Sequence, residues 1–397
     1  MNSHAPSAAP STRPVVAACI FFCSLACILC ADAHAQIVVS ANDAKVRLVD
    51  GVNTTVPNAP PDTVTIIALG AGQARILGEI PVPSSIVGPP QNVAIAPDES
   101  LALVTSSTRI DPADGTKTVP DDKLTVIDLR ASPPAVLATL RAGNGASGVS
   151  INRAGTLALV ANRFEGSVSV FTIAGKTVTA AGKVDVGTPE SLLSGVVFTR
   201  DGRTALVTRN NDSLISVLTI DGTKVENSKR DLAANLKPYG IDVTPAGDAA
   251  IVASIGVGAT GGADTLSVID LAANPPRAVN HVSVGPTAEG LAVSPDGRHV
   301  AVTVMNGSNA ARTSPHFNDF GWLRIYALNK TALALVAEAR IGHWCQGVAW
   351  SSDSGTVLAQ CAVEREIMTF GFDGRRLTAG PSLKVNGGPS GIRTVQR

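Results

Sequence analysis

Charge is scarce in this 397-residue chain: Asp, Glu, Lys and Arg together make up 16%, well under the quarter usual for soluble domains. Basic and acidic residues balance at 32 each, and no Lys/Arg block stands anywhere. Nucleic acid is held by a concentrated basic surface, so no nucleic-acid partner is expected. Aromatic residues are also few, at 4%, which leaves Val, Ile, Leu and Ala to build the core. The usual catalytic signatures are missing. There is no G-x-S-x-G elbow, no H-E-x-x-H, no C-x-x-C-H, and no G-x-G-x-x-G in a βαβ setting.

Long apolar runs are absent too, with one exception at the N-terminus. Val15 to Cys30 reads VVAACIFFCSLACILC, preceded by Arg13 and followed by Ala33-His34-Ala35. The run is short for a bilayer span. A charged start, an apolar middle and a small-x-small site mark a secretory signal peptide, residues 1–35, cut after Ala35. A lipoprotein signal does not fit, because Leu25 stands in the wrong place before Cys27. The mature chain is expected to be periplasmic or secreted, with no membrane span. Four of the six cysteines leave with the signal, and Cys345 and Cys361 remain, bound for an oxidising compartment.

What the chain does have is repetition. The clearest unit is EGLAVSPDGRHVAVTV, Glu289 to Val304: a short strand, a Ser-Pro-Asp-Gly turn and a second strand. The unit recurs from Gln91, Ser147, Ser194, Gly240 and Gln346. Equivalent turn positions are Glu99, Gly155, Gly202, Gly247, Gly297 and Ser354, at spacings of 56, 47, 45, 50 and 57 residues. A third strand follows each hairpin, as in LTVIDL from Leu124 and LSVIDL from Leu266, and then a looser fourth. Four short strands per unit read as the blades of an all-β propeller.

The two ends complete the count. Residues 36–82 hold strands but lack the opening strand and turn, while Pro389 to Val395 matches an opening strand alone. Joined, they make a seventh four-stranded blade, closed by pairing of the C-terminal strand with the N-terminal blade, which removes exposed sheet edges. The expected blades are 36–86 with 389–397, then 87–144, 145–189, 190–237, 238–286, 287–343 and 344–388. In the last full hairpin, setting Trp350 opposite Thr356 makes facing positions sum to 706. Cys345 then faces Cys361, which predicts a disulfide.

In four-stranded blades the second-to-third connections share a face with the connections between blades. Those connections are long at Ser107–Asp122, Gly256–Ala263 and Asn306–Gly321, with a further excursion at Gly51–Asp62. Long loops on a rigid scaffold are where recognition chemistry sits, so this face is the expected functional one. The candidate ligand-binding residues there are Arg163, Arg209, Asn210, Tyr239, Glu289, Asn306, His316 and Arg365, with His343 nearby. They suit a small polar or anionic ligand held by charge-assisted bonds. Asp111, Asp114, Asp121 and Asp122 offer carboxylates to a Ca²⁺, although not at EF-hand spacing. No third histidine joins His316 and His343, so no catalytic zinc is expected and no other cofactor is implied.

The segments GLAVSPDGRHVAVTV, GVSINRAGTLALVANR and DTLSVIDLAANPP resemble the YVTN-type β-propeller repeat family over essentially the whole mature chain. The related superfamily includes lactonase-like propellers. In those, a His, Arg and Glu set at the channel mouth acts on a lactone. The resemblance offers Glu289, His343 or His316, and Arg209 or Arg163 as catalytic positions, although the local motifs around them do not match the lactonase pattern. Two readings stand. One is an exported module that binds a ligand, a protein or a cell-envelope partner. The other is a lactonase-like hydrolase, favoured if Arg163, Arg209 and Glu289 converge.

Overall fold

Each repeat hairpin turns on one residue in the left-handed region. Gly155, Gly202, Gly247 and Gly297 take φ between 67° and 77°, and Glu99 and Ser354 adopt φ of 54° and 61° at the equivalent turns. A side chain there costs about 1 kcal/mol or more. Local hydrogen bonds offset that cost: the Ser100 amide donates to Asp98 Oδ1 (3.1 Å) and the Gly355 amide to Asp353 Oδ1 (2.9 Å).

The computed structural model describes residues 1–5, 35–70, 73–258 and 260–396. The chain divides into two units, Met1–His34 and Ala35–Arg397. The expected export signal falls in the first, almost wholly outside the described residues. Within the second, seven antiparallel sheets follow one another, each with a four-strand path. Six start from an innermost strand and run outward in sequence order: Val93–Ile95, Ala146–Ile151, Leu193–Phe198, Pro238–Val243, Ala288–Val293 and Cys345–Trp350 open blades 2 to 7. Blade 1 is completed across the termini. Its innermost strand, Gly388–Arg393, pairs with Gln36–Asp43, which pairs with Thr63–Gly70 and through it Gln73–Pro81. Gly388–Arg393 also packs on both Cys345–Trp350 and Val93–Ile95, so the ring of innermost strands closes. The protein is an all-β, seven-bladed propeller.

The core lies between blades. Leu157, Leu159, Val168 and Val170 of blade 3 pack against Leu193, Val196, Phe198 and Val207 of blade 4. This explains why whole strands, such as Leu157–Asn162 and Ala249–Ser254, are buried on both faces. Among the described residues no helix is long and apolar enough to cross a membrane.

Two expected loops prove to be structured. Ser107–Asp122 is mostly strand: Leu101–Ile110 and Thr118–Asp128 pair as far as Ile110 and Thr118, leaving a short turn. The excursion near Gly51 is a separate hairpin, Val46–Val49 paired with Val52–Thr55. The disulfide joins Cys345 to Cys361 as expected, but through a different register. Trp350 faces Val357, not Thr356, and a bulge between Cys345 and Val348 brings the two cysteines opposite each other.

Candidate functional site

That bulge recurs and sets what faces the channel. The register shifts at the same place in the innermost strands of blades 3 to 7. There the sequence reads Ser147-Gly148, Ser194-Gly195, Tyr239-Gly240, Glu289-Gly290 and Gln346-Gly347. The glycine is steric in origin: a Cβ on Gly290 would fall onto the Gln346 carbonyl, and one on Gly148 onto the Ser194 carbonyl. A bulge re-aims the side chain beside it. Tyr239, Glu289 and Gln346 accordingly line one cavity of about 900 Å³ at the mouth of the channel.

All three are buried, and Glu289 is only 5% exposed. Burial pushes the Glu289 carboxyl up to about 8, with the nearby Arg163 charge acting the other way. With its amide turned to satisfy both neighbours, Gln346 donates to Glu289 Oε1 (3.3 Å) and accepts from Trp344 Nε1 (3.1 Å). Arg163 lies 5.6 Å from the centre of the Tyr239 ring. It donates to the Leu192 carbonyl (3.3 Å) and to Ser194 Oγ. The Tyr239 phenol is raised well above its ordinary range by burial and then by Glu289, against smaller pulls from Arg163 and the Gly88 amide. It therefore stays a proton donor. Beneath the mouth, Gln91 bridges the channel from blade 2 to blade 5, donating to the Ile241 carbonyl (2.6 Å) and accepting from the Ile241 amide (3.1 Å).

The Val46–Val49/Val52–Thr55 hairpin forms one side of the mouth. Its turn reaches blade 6, where the Arg312 amide donates to Asp50 Oδ1 (2.9 Å) and Gly51 lies against Ala310 and Ala311. A buried cluster anchors its base: Lys45 Nζ bonds Asp43 (3.1 Å), Asp62 (2.8 Å) and the Ser84 carbonyl.

No family model matches the chain, and no curated protein matches it. Solved structures do. A putative 6-phosphogluconolactonase from Bacteroides uniformis superposes with a TM-score of 0.69 at 15% identity, covering 91% of this chain and 100% of that one. The periplasmic gluconolactonase of Pseudomonas aeruginosa gives 0.65 at 16%, covering 91% and 99%. A functionally unknown protein from Desulfotomaculum acetoxidans gives 0.66 at 15%, with the same coverage. The chain is structurally close to lactonase-like propellers. At these identities the likeness is one of fold.

In this propeller, three predicted residues come together: Arg163, Tyr239 and Glu289. Arg209 stands apart, paired with Asp212 (2.5 Å) and Asp231 (3.2 Å). The reason lies in the repeat frame. Asn162 pairs with Ala146 and Arg209 with Leu193, so Arg209 matches Asn162, and it is Asn210 that matches Arg163. One step along a strand reverses the face a side chain takes. Asn210 duly copies Arg163, donating to the Pro238 carbonyl (3.2 Å). His343 is held between Glu364 (2.6 Å) and Asp319 (3.0 Å). Burial lowers its pKa, but those two carboxylates outweigh it and the net shift is upward.

Asn306 donates to the Phe320 carbonyl (3.2 Å), His316 is exposed on the same loop, and Arg365 occupies an exposed turn with φ of 54°. The four aspartates do not gather: Asp114 pairs with Lys117 (2.9 Å), Asp122 with Arg141 (3.0 Å), and Asp121 faces Lys123 (3.6 Å). Among the described residues no three His, Cys, Asp or Glu side chains form a metal-ligand set. Gln346, Trp344 and Gln91 escaped the sequence reading. For Gln346 the available signal was positional, the residue before each repeat glycine, and its varied identity hid it.

Proposed function

We propose that the protein is an exported hydrolase, built on YVTN-type repeats, that opens a small lactone at the channel mouth. The observation that carries this reading is the Glu289 carboxyl, buried in a ligand-sized cavity and raised to about 8. A general base is most effective with a pKa near the working pH. Ionised Glu289 takes a proton from water as the water oxygen adds to the lactone carbonyl. The Tyr239 hydroxyl donates to the resulting oxyanion. Collapse breaks the ring C–O bond, and Glu289 returns its proton to the leaving alkoxide, giving a hydroxy acid. Arg163 positions Tyr239 and holds Glu289 within reach of neutrality, and Gln346 favours the ionised form. The names of the Bacteroides and Pseudomonas proteins agree with this chemistry. The alternative of a docking module is less well supported, because Tyr239, Glu289 and Gln346 converge in one pocket, although Arg209, named in the convergence criterion, stands apart from them.

The test is lactone hydrolysis by the mature protein beginning at Gln36. Glu289→Gln is expected to lower kcat by about 10²-fold or more, within the usual range for a general base. Wild-type kcat/KM should rise with pH and level off above about 8. Absence of turnover across the panel, or full activity in E289Q, overturns the assignment. Export is tested separately by the N-terminal mass of protein recovered outside the cytoplasm, expected to begin at Gln36.

A further inference from the structure

The mouth is poorly suited to a phosphorylated or otherwise anionic ligand. Among the described residues lining the cavity there is no Lys, Arg or His, while Asp50 and Glu289 both face it. Arg163 stands behind Tyr239, already engaged by the Leu192 carbonyl and Ser194. An anion placed here would meet the Asp50 carboxylate, and Glu289 in its ionised form, with no cation among the described lining residues to receive it, and such a pairing selects against it.

Most of the remaining surface is apolar, interrupted by Asn53, Thr287, Asn309 and Ser314. Ile86, Met305 and Trp344 pack with Val46 and Leu48 of the hairpin into one cluster, and Ile255 extends the surface on the blade 5 side. Val52, which lines the cavity, is 62% exposed, so a large aliphatic side chain stands in water at its edge. Beside Glu289, Tyr239 and Gln346, an apolar strip of Met305, Trp344, Leu48 and Val52 is thus available to a ligand's chain. A volume of about 900 Å³ is at the upper end of pockets that hold drug-sized ligands, more than a bare sugar lactone fills.

Resting on the hydrolase reading, we propose that the substrate is a neutral lactone carrying an aliphatic side chain. The ring sits at Glu289 and Tyr239. The chain runs along Met305 and Trp344 toward Val52.

The experiment has two arms. One measures turnover for a series of neutral γ-lactones with side chains from methyl to octyl, beside phosphorylated and carboxylated sugar lactones. The other measures calorimetric binding of the matching alkyl lactams, which are not hydrolysed. Lactone kcat/KM and lactam affinity are each expected to rise about two- to fourfold per methylene over the shorter members, as for partial to full burial of each CH₂. The exposed-site variant Val52→Asp should flatten that dependence. Turnover that prefers the anionic lactones, or is indifferent to chain length, overturns this inference and leaves the hydrolase reading intact. Lactam binding that lengthens with the chain, without turnover of any lactone, overturns the hydrolase and keeps the apolar ligand class. No turnover and no binding overturn both.

Discussion

Glu289 ionises in the unfolded chain near 4.5, but its folded value lies near 8. Folding therefore favours the protonated carboxyl. That contribution is complete below about pH 4.5 and is lost as pH rises through about 8. Glu289→Gln keeps the shape without the titration. Relative to E289Q, the wild type should lose about 5 °C in Tm between pH 5 and pH 9. Parallel melting curves would show that the carboxyl is not the buried titrating group inferred here. The residue scale is also where sequence reading was weakest. Arg163 and Arg209 look equivalent in the sequence, each ending a second strand. Only the pairing frame separates them, and Asp231, one of the two partners that draw Arg209 away, comes from a strand that no local pattern connects to it.

At the level of elements, turn chemistry made the repeats legible. Gly and Pro at the hairpin tips declare themselves, and all six predicted turn residues hold positive φ. Register was less legible, because the bulge adds a residue that alternation alone does not reveal. The disulfide was reached from a register one position off at the turn. The bulge made up the difference, returning Cys345 to a place opposite Cys361. The bridge spans 16 residues, and closing a loop of that size contributes about 3 kcal/mol. A Cys345→Ser/Cys361→Ser double variant should therefore melt a few degrees lower, ~4 °C for a domain of this size. Reductant should lower the wild type by a similar amount and leave the variant unmoved. Equal sensitivity of both proteins to reductant would show that the bridge does not form. The extended hairpin at Leu101–Asp128 was missed for a related reason: Asp111, Pro112 and Asp114 at its turn read as loop, and a register shift between Ser106 and Thr108 hides the pairing that runs on to Ile110 and Thr118.

The complementary deficits at the two ends made the architecture of the whole molecule the most legible feature of all. Closure rests on Gly388–Arg393 pairing with Gln36–Asp43. Without that strand, Gln36–Asp43 becomes a free edge and blades 2 and 7 lose the neighbour between them. Unpaired edges promote association. A chain ending at residue 387 should accordingly elute as aggregate in size-exclusion chromatography, and adding the missing strand as a separate peptide should restore some monomer. Monomeric behaviour without the peptide would show that the ring does not depend on it. The same pairing also sets a clock. Residues some 350 positions apart must meet before any ring exists, as in the Ser40–Ile392 pair, and contacts so distant form late. During synthesis the chain holds blades but no closed barrel of blades until its last segment has emerged. A protein that stays open until then remains threadable, and under the proposed export such a chain would pass through a narrow translocation pore and complete its circle on the far side.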